Sequence, residues 1–226
     1  MTYNKPLSSD DCRIFYIGTQ PTCYVPITKV ASTYLRRALP ARSFDLYNWC
    51  WYQSSDQPPN QTDMNFLVML RDPVQRWISG ATEFWSRCRP QQNWQDMDFL
   101  RSLFDQIEFD VHTLPQSDFL TEINLDKTTW LLMGQEVAAH HWFSDHSINL
   151  RAIEIQERNL GNARPQVYFD TNGERCNDNS AAEISIHSAL IQQAIYDYIN
   201  ANSDCREKIK QYYRKDYDLI SSVNFY

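Results

Sequence analysis

The stretch Phe66-Leu67-Val68-Met69-Leu70-Arg71-Asp72-Pro73-Val74-Gln75-Arg76-Trp77-Ile78 decides how this chain folds. Phe66 to Leu70 is a short continuous apolar run, the pattern of a strand covered on both faces inside a parallel sheet. Asp72 and Pro73 then supply a helix start, and Val74, Trp77, Ile78 and Ala81 recur at helical spacing. A second unit of the same kind lies upstream. Ile14 to Val25 is rich in β-branched and aromatic residues, interrupted by Gly18 and Pro21, and Ser32 to Leu39 follows Pro26 as a helix.

Further along, the pattern is mainly helical from Asp96, including Asp126 to His141, and Ala152 to Ile155 offers another strand. Gly161 to Ser180 reads as an extended loop. Ala181 to Asn200 and Asp204 to Tyr217 read as closing helices, the first with Ile184, Ala189, Ile191, Ile195 and Ile199 toward the core. Strands separated by helices predict an α/β protein: a single three-layer domain over residues 1–226, with a central, mainly parallel sheet flanked by helices. Ligands of such sheets bind beyond the carboxyl ends of the strands, which directs attention to the loops after Val25 and Leu70.

Composition narrows the partners. The chain has 226 residues, 42% hydrophobic, with a formal net charge of −7, which argues against coating nucleic acid or an anionic membrane. Any anion site must therefore be local. No stretch approaches the roughly 20 apolar residues of a membrane span, so no integral membrane contact is expected. The first residues, MTYNKPLSSDDC, lack the apolar segment of a signal peptide, and the expected location is cytoplasmic. Six cysteines without a C-x-x-C pair fit buried reduced thiols better than a zinc ribbon or a disulfide scaffold. His140, His141, Asp145 and His146 lack the spacing of a metal motif, and no metal is expected.

The loop Pro26-Ile27-Thr28-Lys29-Val30-Ala31-Ser32-Thr33 precedes a helix. Backbone N–H groups at a helix start attract phosphate, Lys29 adds a mobile positive charge, and the Ser32 and Thr33 hydroxyls add hydrogen bonds. The glycines of G-x-x-x-x-G-K-S/T are absent, so this is not a Walker loop. The plainer reading is a Ser32 N-cap beside a solvated Lys29. In the second loop Arg71 sits at a strand end and Ser79 two turns into the next helix. Its plainer reading pairs Arg71 with Asp72 or another carboxylate, makes Ser79 a small packing residue and leaves Arg76 on a solvated face. Together the two loops suggest a ligand with two separated phosphate groups.

These residues resemble a family. Lys29 with Ser32-Thr33, and Arg71-Asp72-Pro73 with Arg76 and Ser79, are similar to the 5′-phosphosulfate and 3′-phosphate loops of PAPS-dependent sulfotransferases, whose sulfuryl donor is 3′-phosphoadenosine 5′-phosphosulfate (PAPS). Asp110-Val111-His112-Thr113-Leu114-Pro115-Gln116 resembles the D-x-H-x-x-P-Q element of Golgi-type carbohydrate sulfotransferases. Glu157-Arg158-Asn159-Leu160 and the segment from Tyr212-Tyr213 to Asp216-Tyr217 extend the likeness in the same order. Two departures stand out: Ala31 where many members have glycine, and Thr28 rather than proline before the lysine.

The resemblance implies a P-loop-like sulfotransferase fold that binds PAPS, releases PAP and needs no metal. It implies Lys29, Val30, Ala31, Ser32 and Thr33 around the 5′-phosphosulfate, and Arg71 with Ser79 on the 3′-phosphate. Lys29 would contact the leaving-group oxygen. His112 is the first candidate for the base that takes the acceptor proton, since a neutral imidazole can do so near neutral pH, and Glu83, one turn beyond Ser79, is the reserve. Plainer readings make His112 a structural histidine hydrogen-bonded to Asp110 or backbone, and Glu83 an exposed helix residue. The implied acceptor is a hydroxyl of a carbohydrate or glycoconjugate. Tyr47, Trp49, Trp51 and Tyr52 suit either a sugar platform or a core-facing strand. The competing classes are a non-catalytic PAP, nucleotide or glycan-binding module and a small-molecule kinase-like phosphotransferase.

Overall fold

The computed structural model describes residues 12–46, 48, 50–51, 56–88, 93, 95–121, 123–150, 168–169, 175–176 and 181–226. The expected strand at Ala152 to Ile155, the segment Glu157 to Leu160, most of the loop from Gly161 to Ser180, and Tyr47, Trp49 and Tyr52 lie outside the described residues. The chain is α/β and groups into two compact units: Met1–Asp72, Pro115–Ile153 and Lys215–Tyr226 form the first, and Pro73–Leu114 with Glu154–Arg214 the second.

The first unit holds a six-stranded open sheet in the order β4-β3-β1-β2-β5-β6. Its strands are β1 (Cys12–Ile17), β2 (Gln20–Val25), β3 (Arg42–Asp45), β4 (Cys50–Trp51), β5 (Asn65–Leu70) and β6 (Thr128–Leu132). Only β2 with β5 and β5 with β6 run parallel; β1 with β2, β1 with β3 and β3 with β4 are antiparallel. The sheet is therefore mixed rather than mainly parallel. The cause is local. Gly18 and Thr19 form a two-residue turn between Ile17 and Gln20, and Gly18 takes the positive φ of 60° that a tight hairpin requires. What reads as one interrupted strand is a hairpin.

Inside the sheet, Phe66 to Leu70 are all buried, as the continuous apolar run predicts for a central parallel strand. On one face Phe15, Tyr24, Leu67, Met69 and Leu131 pack against Leu35 and Leu39, and against Ala139, Trp142 and Phe143. Leu35 belongs to α1 (Ser32–Ala38), and the last three to α4 (Glu136–Asp145). The region from Asp126 to His141 is thus not continuously helical. Thr128-Thr129-Trp130-Leu131-Leu132 is β-branched and aromatic enough to pair with β5, and Gly134 turns the chain at φ 102° before α4. Cys12 and Cys23 are buried free thiols in adjacent strands, Cys205 is a third, and Cys50 is exposed.

The second unit is built on α2 (Pro73–Cys88), α3 (Met97–Ser102), α5 (Ala181–Ala201) and α6 (Ser203–Tyr212), with a two-stranded pairing of β7 (Tyr168–Phe169) and β8 (Arg175–Cys176). Trp77, Ile78 and Ala81 of α2 meet Leu100, Phe104, Ile191, Ile195 and Ile209 in its core. The stripe predicted on α2 is the one buried. Ile191, Ile195 and Ile199 of α5 are buried as expected, whereas Ala189 is exposed. The last predicted helix is two: α6 ends at Tyr212 and α7 (Arg214–Ser222) follows. Each side of the break is pinned by a buried group, the Tyr213 hydroxyl donating to the Thr113 carbonyl and Asp216 accepting from the Gln116 and Ser117 N–H groups. Among the described residues no helix is long and apolar enough to cross a membrane.

Among the described residues, Tyr24 is the largest fully buried side chain whose polar atom departs from the usual pairing of buried polar groups. The Tyr24 hydroxyl is fully buried without a hydrogen-bond partner, and burial, followed by the neighbouring Cys12, raises its pKa. Cys12 is also raised, first by its hydrogen bond with the Cys23 thiol and then by burial. Folded, both groups stay neutral where the unfolded chain ionises them. Stability is therefore full below about pH 9 and falls as pH rises above it. Tyr24→Phe is expected to raise stability by about 1 kcal/mol at neutral pH and to shrink the alkaline loss, as measured by urea unfolding at about pH 7 and about pH 10.5.

Candidate functional site

In the first unit, the β2–β5 register sets Val25 opposite Val68. Two more residues of β5 carry the chain roughly 6–7 Å beyond the end of β2 before Arg71 begins. The loops after Val25 and Leu70 therefore leave the same sheet edge side by side. Arg71 closes the gap: its Nη1 donates to the Lys29 carbonyl at 3.2 Å. The structure thus brings the Arg71 guanidinium to the backbone of Lys29, two residues that the sequence places in separate motifs.

The first loop is strained. Lys29 and Ala31 adopt the left-handed region, at φ 66° and 57°, although neither is glycine. Ile27 and Val30 are fully buried and tether the loop by their side chains. Alternating left-handed residues aim successive N–H groups at one side of a loop, the concave arrangement that collects anions. The cap differs from expectation. Ala31, not Ser32, is the N-cap of α1, and it makes no side-chain cap bond, because alanine has no acceptor to offer. Since α1 has only seven residues, the case for an anion site here rests on the loop rather than on the helix dipole. Ser32 is buried at the first helical position; Thr33 follows on α1, its side chain lying outside the described residues.

Arg71 is itself held. Gln116 accepts from the Arg71 N–H with its Oε1 and donates from Nε2 to the Arg71 carbonyl, both at 2.9 Å, as a neighbouring strand would. Burial lowers the Arg71 pKa from its ordinary value, with Asp72 opposing that shift, yet a guanidinium remains charged at neutral pH. The Tyr217 hydroxyl donates to Asp72 at 3.3 Å. The sequence alone assigns no role to Gln116 or Asp216, although both fall inside the stretches that carry the resemblance.

The second unit brings together Glu83, Asp110 and His112. His112 Nδ1 lies 2.8 Å from Asp110 Oδ2 and Nε2 3.4 Å from Glu83 Oε1, with each side chain only about one-fifth exposed. Glu83 is therefore not the exposed glutamate of its plainer reading. Asp110 also accepts from the His112 N–H at 2.8 Å, and Thr113, fully buried, accepts from the Phe109 and Asp110 N–H groups. This locks the turn that carries the imidazole. In the neutral tautomer that donates Nδ1–H to Asp110, Nε2 carries the lone pair; a protonated Nε2 would instead donate toward Glu83.

Gly80 of α2 packs against that turn, and a Cβ added there would stand 2.3 Å from the His112 carbonyl oxygen. Arg76 is fully buried, not solvated, and donates to the Leu114 carbonyl. Ser79 is half-buried on α2, in the second unit, whereas Arg71 belongs to the first; their shared hold on one phosphate rests on the resemblance.

Among the described residues no three His, Cys, Asp or Glu side chains converge as metal ligands. In the histidine-rich segment, His146 Nδ1 faces the Trp142 carbonyl at 2.8 Å, and Asp145 accepts from the Tyr226 hydroxyl. No protein-family model, curated protein or solved structure matches this chain.

Two substitutions check this geometry. Ala31→Gly is expected to raise unfolding stability by about 0.5–1 kcal/mol, because glycine accepts the left-handed backbone freely and only one methyl of packing is lost. Gly80→Ala is expected to cost about 2 kcal/mol by displacing the His112 turn, both values read from urea midpoints.

Proposed function

We propose that the protein is a sulfotransferase that moves a sulfuryl group from PAPS to a hydroxyl of a carbohydrate or glycoconjugate acceptor. The observation that carries this reading is the strained, cationic Lys29 loop clipped to Arg71 at the carboxyl edge of two adjacent parallel strands. That edge is where α/β sheets bind nucleotides, and the loop supplies both backbone donors and charge. The likeness of the two loops to the PAPS loops, and of Asp110 to Gln116 to the D-x-H-x-x-P-Q element, selects sulfuryl over phosphoryl transfer.

In this reaction the acceptor oxygen attacks sulfur in line as the bond from sulfur to the 5′-phosphate oxygen breaks, and PAP leaves with the electron pair. Lys29 neutralises charge on that leaving oxygen, with Ser32 and Thr33 on the 5′-phosphate. Arg71, with Ser79, holds the 3′-phosphate that distinguishes PAPS from other adenine nucleotides. His112 takes the acceptor proton at Nε2, with Asp110 fixing its tautomer and Glu83 beside it. The reaction needs no metal.

Calorimetric titration with PAP, ADP and ATP, with and without magnesium, tests the reading. PAP is expected to bind selectively without magnesium, and Arg71→Ala to weaken it by about tenfold to a hundredfold. Lys29→Ala and His112→Ala are each expected to lower transfer by about a hundredfold or more. A preference for ATP with magnesium would instead identify a phosphotransferase, and PAP binding without transfer a binding module.

A further inference from the structure

We propose that Gln116 and Asp216, neither of which need touch a ligand, are the positioning residues that set the anion loop of the first unit through Arg71, an assignment whose ligand rests on the reading above. The chain of contacts is continuous. Asp216 is completely buried, and its carboxylate accepts from the Gln116 N–H at 2.8 Å and the Ser117 N–H at 2.9 Å, with Gln116 Nε2 at 3.5 Å from the same oxygen as the first. Those N–H groups open the short 3-10 turn Gln116–Phe119, where no residue of the turn itself supplies a cap. Asp216 caps it from a distant part of the sequence.

Thus fixed, Gln116, also completely buried, grips Arg71 by both backbone groups at 2.9 Å. Arg71 has just left β5 and has no strand partner of its own there, so the Gln116 amide takes the place of one. Arg71 in turn donates to the carbonyl of Lys29, a residue in the left-handed region. Such a backbone persists only when its surroundings over-determine it. The carboxylate of α7 is therefore linked through one amide and one guanidinium to the loop that presents Lys29.

Asp216 accepts from N–H donors rather than from Arg71, so this chain of contacts does not itself cancel the guanidinium charge; Asp72 is the carboxylate that acts on it. A direct Asp–Arg pair would hold Arg71 as firmly while cancelling the charge. An interposed glutamine holds the backbone and spares it.

Amide hydrogen exchange on the full chain without ligand tests the linkage. In the native protein the Arg71 N–H should be protected, and in Gln116→Met it should exchange at least about tenfold faster while Ile14 and Val68 amides keep their protection. Asp216→Asn should loosen Gln116, Ser117 and Arg71 together. PAP titration of the same variants should show about a tenfold loss of affinity, with lost transfer appearing in KM for PAP more than in kcat.

Unprotected Arg71 in the native protein, or unchanged Arg71 exchange in Gln116→Met, would overturn the linkage. Unchanged PAP affinity despite accelerated exchange would overturn its role in positioning. Should a variant fail to fold, the through-hydrogen-bond coupling from the Arg71 amide nitrogen to the Gln116 side-chain carbonyl, measured in the native protein, decides the same contact. If the native protein binds no PAP, the sulfotransferase reading fails, and the exchange results still settle whether Gln116 holds Arg71.

Discussion

The hydrogen bond from Arg71 to the Lys29 carbonyl is the constraint around which the first unit is arranged. Two non-glycine residues in the left-handed region each cost about 1 kcal/mol or more, and the loop keeps them only because it is tethered on both sides. Buried Ile27 and Val30 hold it from below, and Arg71 holds its backbone from the side. That clip is possible because β2 and β5 are parallel neighbours in a register that lets β5 outrun β2. A hairpin connection between these strands would have sent the two loops to opposite ends of the sheet.

The same device recurs in the second unit. Where the chain leaves regular structure, side chains supply the backbone partners that a ladder or helix would otherwise provide. Asp110 and Thr113 do so for the turn bearing His112, and Arg76 does so for the Leu114 carbonyl. Together they hold the imidazole between two carboxylates, Asp110 from its own turn and Glu83 from α2. Gly80 permits the approach, since any side chain there would occupy the space of the His112 carbonyl. Preorganisation of this kind matters for proton transfer, which depends on hydrogen-bond geometry before it depends on acidity.

Much of this was legible in the sequence, and what was not has physical causes. The buried strand Phe66 to Leu70 and the α2 stripe follow from apolar periodicity alone, because their environment is uniform along each element. The β1–β2 hairpin was missed because one glycine looks like a flaw in a strand until pairing reveals a turn. β6 was missed because a five-residue strand close before a helix carries too little periodicity to separate from it. Lys29 and Arg71 were identified by residue type and neighbourhood, but their contact depends on register, which no local pattern encodes. Ala31 stood out as a departure where glycine was expected, and the left-handed backbone there shows why glycine suits the position. Gln116 and Asp216 lie inside stretches that carry only a resemblance, yet their contact spans 100 residues of sequence.

The most direct test of the account is an amide nitrogen–proton spectrum of the labelled protein recorded during addition of PAP, with adenosine as the control that lacks phosphate. The account predicts that amides of residues 28 to 33 and of Arg71 shift with saturable PAP dependence, while adenosine leaves them in place. Shifts confined to other parts of the chain, or equal shifts with adenosine, would contradict the assignment of the Lys29 loop and Arg71 as the phosphate-binding site.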